Sequence, residues 1–394
     1  MFHYIKYTLF HLLALPLMIG FTIGGDGLYL GFICAAGIIV FGDLFLGDDI
    51  STPEFNKSGL LTAQLWSSLP LIIFVNFLLM WAITDGDPLG YGALIESVTG
   101  YDAIGARATN TIPGVIGAIL GCALLSAIVG TIVGHELTHR TWDPLSLLIG
   151  RWLLAFSWDT GFSIEHVYGH HAYVGSTEDP ATAPRGRNVY QHIVISTYRG
   201  NVSAAKIEAQ RLKKKRQGVW SLHNRYIRGL LMSTLLEVGA FALAGWEGVL
   251  IFTISALITK SMLEMVNFME HYGIVRNPKS PVQPYHSWNS NKRFSSWGTF
   301  NLTRHSHHHA EGDVPFHKLK PYSDAPMMIN GLLTTMFLTL IPPLWNALMT
   351  PKVLEWDRKY ASEEELILAD EANQRSGKKA YQTVSYTRPL KTAA

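Results

Sequence analysis

Long apolar runs alternate with short polar breaks along this chain. The runs cover about residues 7–24, 28–46, 60–84 and 112–134, then 229–245 and 248–268. Each approaches the ~20 residues that a bilayer-spanning helix needs. Turn signals separate them: Gly24 to Gly27, Pro53, Asp85 to Pro88, and Gly245 to Gly248, the last short enough to make a hairpin of the final two runs. The pattern predicts six spans that carry almost no ionisable residues. Residues 1–24 read as a first span and not as a cleaved leader, because Lys6 alone makes the charged region and a second run follows at once. Residues 85–110 read as a polar loop. Residues 330–349 are apolar but broken by Pro342 and Pro343, which predicts a re-entrant or interfacial segment. The tail from about residue 351 is charged, helix-prone over 362–373, and frayed beyond that.

Composition agrees with a polytopic membrane protein over two soluble domains: 48% of residues are hydrophobic and 16% charged. The formal charge of +2 conceals an uneven spread. Arg140, Arg151, Arg185, Arg187, Arg199 and the basic run 211–216 crowd one stretch, and the positive-inside rule places it, with both termini, on the cytoplasmic side. That basic run is read as meeting anionic lipid headgroups; the second reading is a dock for an acidic electron carrier. The chain divides into spans one to four (1–134), a histidine-rich region (135–228), spans five and six (229–270) and a cap with the C-terminal tail (271–394). Two cysteines, Cys34 and Cys122, exclude a disulfide framework, a zinc–thiolate site and an iron–sulfur cluster. Redox chemistry in this chain therefore needs electrons from another protein. No nucleic-acid partner is expected.

Histidine carries the candidate chemistry. His135 and His139 stand four apart, as do His166 and His170; His171 adds a neighbour. His305 is followed by His308 and His309, and His271 ends the sixth apolar run. Four-residue spacing puts two side chains on one helix face, and neutral imidazole is a common ligand of iron, zinc, copper and nickel. These nine side chains are enough for two metal ions and too many for one. A lone pair such as His135 and His139 flanking Glu136 is weak evidence, and its best-known use is a zinc protease with Glu136 as base; three further clusters exceed what that enzyme needs. His3, His11, His192, His223, His286 and His317, outside the clusters, read as surface, interface or supporting residues. The clusters lie where spans four and six reach the cytoplasmic side. A substrate can thus arrive from the bilayer while electrons and protons arrive from water.

The motifs around His135–Arg140, Glu165–His171 and Arg304–Ala310 resemble the three histidine boxes of the membrane di-iron alkane hydroxylases. Asn267–Gly273 resembles a further histidine motif of that family, and Asp179–Thr182 and His286–Asn291 also fit. The tail around Ile341–Trp345 and Pro351–Tyr360 is similar to the xylene monooxygenase hydroxylase component. The resemblance implies an all-α fold, six transmembrane helices with a mainly helical cytoplasmic cap, in a bacterial inner membrane. It implies two non-haem iron ions held by His135, His139, His166, His170, His171, His271, His305, His308 and His309. It also implies O2-dependent hydroxylation of a terminal or benzylic methyl group of a hydrophobic hydrocarbon to the primary alcohol. One oxygen atom enters the product and the other leaves as water, with two electrons from rubredoxin or a ferredoxin-type reductase and ultimately from NAD(P)H. Ligand histidines usually lean on carboxylates; Glu136, Glu165, Asp179 and Glu270 are the candidates, Asn289 and Asn291 weaker ones. One departure is His307, where alkane hydroxylases usually carry Asp. The alternatives are a membrane fatty-acid desaturase, whose boxes are spaced differently, and a metal transporter, which would place its polar groups near the bilayer midplane.

Overall fold

The computed structural model describes residues 1–387, and among them the fold is all-helical apart from two isolated bridges, Asp48–Lys292 and Asn289–Met327. Four of the helices long and apolar enough to cross a membrane come early: α1 (Phe2–Ile23), α2 (Gly27–Phe45), α3 (Ser58–Ile83) and α4 (Ile112–His139). The shorter α5 (Pro144–Ala155) and the polar α6 (Val189–Lys214) lead to the fifth, α7 (Arg225–Glu270). The remainder holds α8 (His305–Ala310), α9 (Leu332–Thr339), α10 (Pro342–Lys359) and α11 (Glu363–Arg375).

Local chemistry explains the boundaries. Thr111 caps α4 by accepting from the Gly114 amide, with Pro113 in the first turn. Nothing stops the helix at residue 134, so it continues to His139. The break expected in α7 lies at Ala244 and Gly245, where Gly245 has φ +58°. Thr253 then donates to Glu237 at 3.0 Å. In a straight helix residues so spaced would stand ~24 Å apart, so the chain doubles back there and the hairpin expectation agrees with the geometry.

α4 is the innermost of the long helices: 78% of its apolar window is buried, against 33% for α2. It packs on α2, α3 and α7. The α2 contact is close enough that a Cβ on Gly117 would lie 2.5 Å from Tyr29 Cβ.

Two expectations change, those for residues 85–110 and for the tail, and residues 330–349 resolve into two helices. Residues 85–110 are not a loop throughout: Asp87 accepts from the Gly92 and Ala93 amides and starts the helix Tyr91–Thr99. Residues 330–349 split at Ile341 into α9 and the first turns of α10, and α9 buries Leu332, Leu333 and Met336 against α2 and α7. The tail is not frayed through residue 387: the Tyr386 and Thr387 amides both donate to Asp370 at 2.8 Å. Residues 388–394, part of that expectation, lie outside the described residues. A buried pair, Arg185 with Asp357, ties α10 to the histidine region, and Arg185 also donates to Asn373 of α11. The apolar helices also contain ionisable residues that hydropathy alone passes over: Lys260 and Glu264 lie inside α7 and are enclosed by protein.

Candidate metal centre

α4 delivers His135 and His139 from its last turns; the helical stretch 162–173 delivers His166, His170 and His171; His271 follows α7; α8 supplies His305, His308 and His309. The structure brings all nine together in two groups. In the first, nitrogens of His135, His139, His166, His171 and His308 lie within 4.8 Å of one another; in the second, those of His170, His271, His305 and His309 do.

The grouping corrects the helix-face expectation. His166 was expected to pair with His170. Residues 166–170 are wound as a π-helix, with wider turns. His166 therefore comes over His171, with their Nε2 atoms 3.1 Å apart. His170 turns to the second group and meets His309 at 3.2 Å. α8 divides in the same way: His305 and His309, four apart, meet at 2.9 Å, and His308 joins the first group.

The donor set fits metal cations. The Nε2 atoms of His139 and His166 face each other at 3.0 Å, and those of His271 and His305 at 3.1 Å. The buried Nε2 atoms of His135 and His308 have no hydrogen-bond partner. Imidazole lone pairs that converge without protein donors repel unless a cation lies among them. Burial, and then the charge of neighbouring imidazoles, pushes His166, His171, His271, His305, His308 and His309 well below the usual histidine range, so these rings are neutral and able to ligate. His170 moves the other way. Burial lowers it, but the Asp179 carboxylate at 2.9 Å outweighs that and raises it, and Asp179 is held low in return.

The carboxylates expected behind the ligands part company. Asp179 does lie behind one, accepting from His170 Nδ1 while Thr182 and the Ala181 amide also donate to it. Glu270 lies on the other side of its histidine, 3.2 Å from His305 Nε2, the edge that faces the group. Glu136 pairs with Arg140 instead, at 2.9 Å. Glu165 accepts weakly from Ser203 at 3.3 Å, and burial followed by the Asp179 charge raises its pKa. Asn289 accepts from the Ser306 amide, and Asn291 accepts from Asn289. His307 belongs to neither group; its Nδ1 accepts from the Lys320 amide and its ring meets Tyr322. Sequence reasoning gave His286 only a supporting part, and it contacts Glu365 of α11 at 2.6 Å.

An apolar slot leads to the two groups. It is narrow: about 30 Å³ within it is open to the centre of a water-sized sphere. Leu124, Ile128 and Ile132 of α4, Met262 and Val266 of α7, and Leu333 and Met336 of α9 form its walls; His135, His166, His170, His305 and Glu270 close one end. Only a hydrophobic molecule gains by entering such walls.

Comparison with known proteins agrees with this geometry. Residues 110–328 match the fatty acid desaturase family. The chain is 37% identical to alkane 1-monooxygenase 1 of Pseudomonas aeruginosa over 66% of its length and 69% of the relative's. It is 30% identical to the xylene/toluene monooxygenase hydroxylase component XylM of Pseudomonas putida over 95% of both chains. Alkane 1-monooxygenase 2 of Pseudomonas aeruginosa is 31% identical over 91% of this chain and 92% of its own. Resting on the shared histidine domain and on end-to-end similarity, the chain belongs to the family of membrane monooxygenases that includes the alkane and xylene hydroxylases.

Proposed function

We propose that this protein hydroxylates a terminal or benzylic methyl group of an alkane or alkylaromatic hydrocarbon to the primary alcohol, with O2 as oxidant. The observation that carries this reading is the apolar slot closed at one end by the two histidine groups and Glu270. His135, His139, His166, His171 and His308 would hold one iron ion, and His170, His271, His305 and His309 a second. When bound, the two irons supply O2 activation. The chain's own residues do the rest. Ile128, Ile132, Val266 and Met336 orient the hydrocarbon with its methyl group toward the histidines and keep bulk water away. Asp179 fixes the tautomer and ring orientation of His170. Glu270 stands at the reacting end, placed to hold or return a proton.

The same reading places six spans in a bacterial inner membrane, with 1–134 and 229–270 as the membrane body and 135–228 and 271–394 as a cytoplasmic cap. Electrons come from a rubredoxin or a ferredoxin-type reductase. The test is product analysis under ¹⁸O2 in cells supplying each donor set and given octane and p-xylene together. Labelled octanol or methylbenzyl alcohol is the expected result. Unlabelled alkene would overturn the hydroxylase reading in favour of desaturation.

A further inference from the structure

Beside the slot lies a second, small cavity, with about 20 Å³ open to the centre of a water-sized sphere. It is polar. Lys260 reaches into it from α7 and meets Asp159 at 2.7 Å and Glu264 at 2.6 Å. The second oxygen of Glu264 accepts from the Asn267 side chain at 3.1 Å. Asn267, Phe162, His166 and His170 line both this cavity and the slot, so they are the partition between the two. On its outer side the cavity is walled by Ser196, Gly200 and Asn201 of α6, and Gly200 and Asn201 are partly exposed. Tyr226 donates to Asn201 at 2.9 Å there.

Three ionised groups inside a membrane protein are costly to bury, and such groups mark ion or proton pathways. None of the three belongs to either histidine group. Yet the reaction proposed above needs protons at the end of a slot that is otherwise apolar: RH + O2 + 2e⁻ + 2H⁺ gives ROH + H2O. We propose that this cavity is the proton entry of the centre, with Glu264 as the relaying carboxylate and Lys260 and Asp159 as positioning residues. The inference rests on the hydroxylation reading. Glu264, ionised at rest, takes a proton from water entering beside α6 and passes it inward past Asn267, so it returns to its starting state after each transfer. A polar cavity of this kind can hold the bridging water such a transfer needs.

The groups that face Glu264 support the assignment. Lys260 is on its own helix, Asp159 precedes the 162–173 stretch, Glu165 and His170 lie on that stretch, and Ser196 and His192 come from α6. Burial keeps His192 neutral, so it does not compete as a second cation. Lys260 is then the fixed positive charge, shared between two carboxylates. That arrangement makes Glu264→Gln a clean test, because Lys260 keeps Asp159 as a partner and no lone buried charge is created.

The experiment compares wild type, Glu264→Gln and Glu264→Asp as full-length membrane enzyme. Three quantities are read: iron content, product formed per O2 consumed, and the slowing of turnover in D2O. Glu264→Gln is expected to retain wild-type iron while losing ~100-fold or more in turnover, as for removal of a general acid–base group. It should release peroxide in place of alcohol and show a larger D2O effect; Glu264→Asp should restore much of the loss. Wild-type coupling and D2O effect in an iron-replete Glu264→Gln protein would overturn the proposal. If Glu264→Gln does not fold, Asn267→Leu, which seals the partition and leaves both Lys260 pairs in place, must show the same uncoupling or the proposal falls. A further readout needs no iron. Infrared pH titration of the metal-free protein should show a carboxyl band that takes up a proton in wild type and is missing from Glu264→Gln; its absence from folded wild type would overturn the relay. Wild type that makes no alcohol with either donor set would instead count against the hydroxylase reading, and the infrared result would still decide the relay.

Discussion

Asp179→Asn should empty one metal position and leave the other. In the wild type, one carboxylate oxygen, Oδ2, accepts from both His170 Nδ1 at 2.9 Å and Thr182 Oγ1 at 2.6 Å, and the other accepts from the Ala181 amide at 3.0 Å. An amide cannot satisfy this set. With its NH2 toward His170 it turns away two donors. With its oxygen there, the NH2 faces the Ala181 N–H. A buried group left unsatisfied costs ~1–3 kcal/mol. His170 can escape by moving its proton to Nε2, the atom that faces His309, and it is then no longer a ligand. Loss of such a partner typically weakens metal binding ~10–100-fold, which corresponds to ~1.4–2.8 kcal/mol. The assay is iron stoichiometry by elemental analysis after dialysis against a graded series of chelator concentrations. The expected result is a variant that keeps the iron held by His135, His139, His166, His171 and His308 and loses the other at lower chelator. Equal retention of both ions by variant and wild type would refute the argument that Asp179 holds His170 in its ligating tautomer.

Other outcomes follow from the same geometry. Gly117→Ala would place a Cβ 2.5 Å from Tyr29 Cβ, forcing α2 and α4 apart; it should cost ~1–3 kcal/mol, seen as a lower melting temperature in detergent, and an unchanged melt would contradict the close approach. Ile128→Phe narrows the slot and should shift the preferred hydrocarbon to a shorter one, with ~1–3 kcal/mol of discrimination for each methylene excluded, read from competing substrates in one reaction. Glu208 gives a pH signature. Burial opposes its ionisation, but hydrogen bonds from Arg211 and Arg225 outweigh that and lower its pKa from 4.5 to about 2. Its contribution to stability is therefore full above 4.5 and lost as the pH falls toward about 2. Thermal melts across that window should lose this step in Glu208→Gln and retain it in wild type.

Much of this protein is legible in one dimension. Hydropathy locates the long helices within a few residues, because a helix that meets lipid must be apolar along its whole length and must satisfy its backbone internally. The nine histidines of the two groups are recoverable from their clustering, since a multi-metal site needs several imidazoles and the chain supplies them in short runs. The Asp179 partner was also among the sequence candidates. Which histidines act together was not legible: spacing by four paired His166 with His170, whereas the wider π turn paired it with His171. That stretch packs against α6, a contact that its own sequence does not display.

The sequence by itself thus determined where the apolar helices lie and which histidines stand out as clusters, both properties of composition and spacing. Only the tertiary structure decided how the histidines divide, that Glu270 faces the site while Glu136 turns to Arg140, and that Lys260 meets Asp159 across 101 positions of chain. Apart from the Glu136–Arg140 pair, one helical turn apart, those are contacts between segments far apart in sequence. They are set by how α4, α7 and the 162–173 stretch pack together, and no pattern read along one segment contains them.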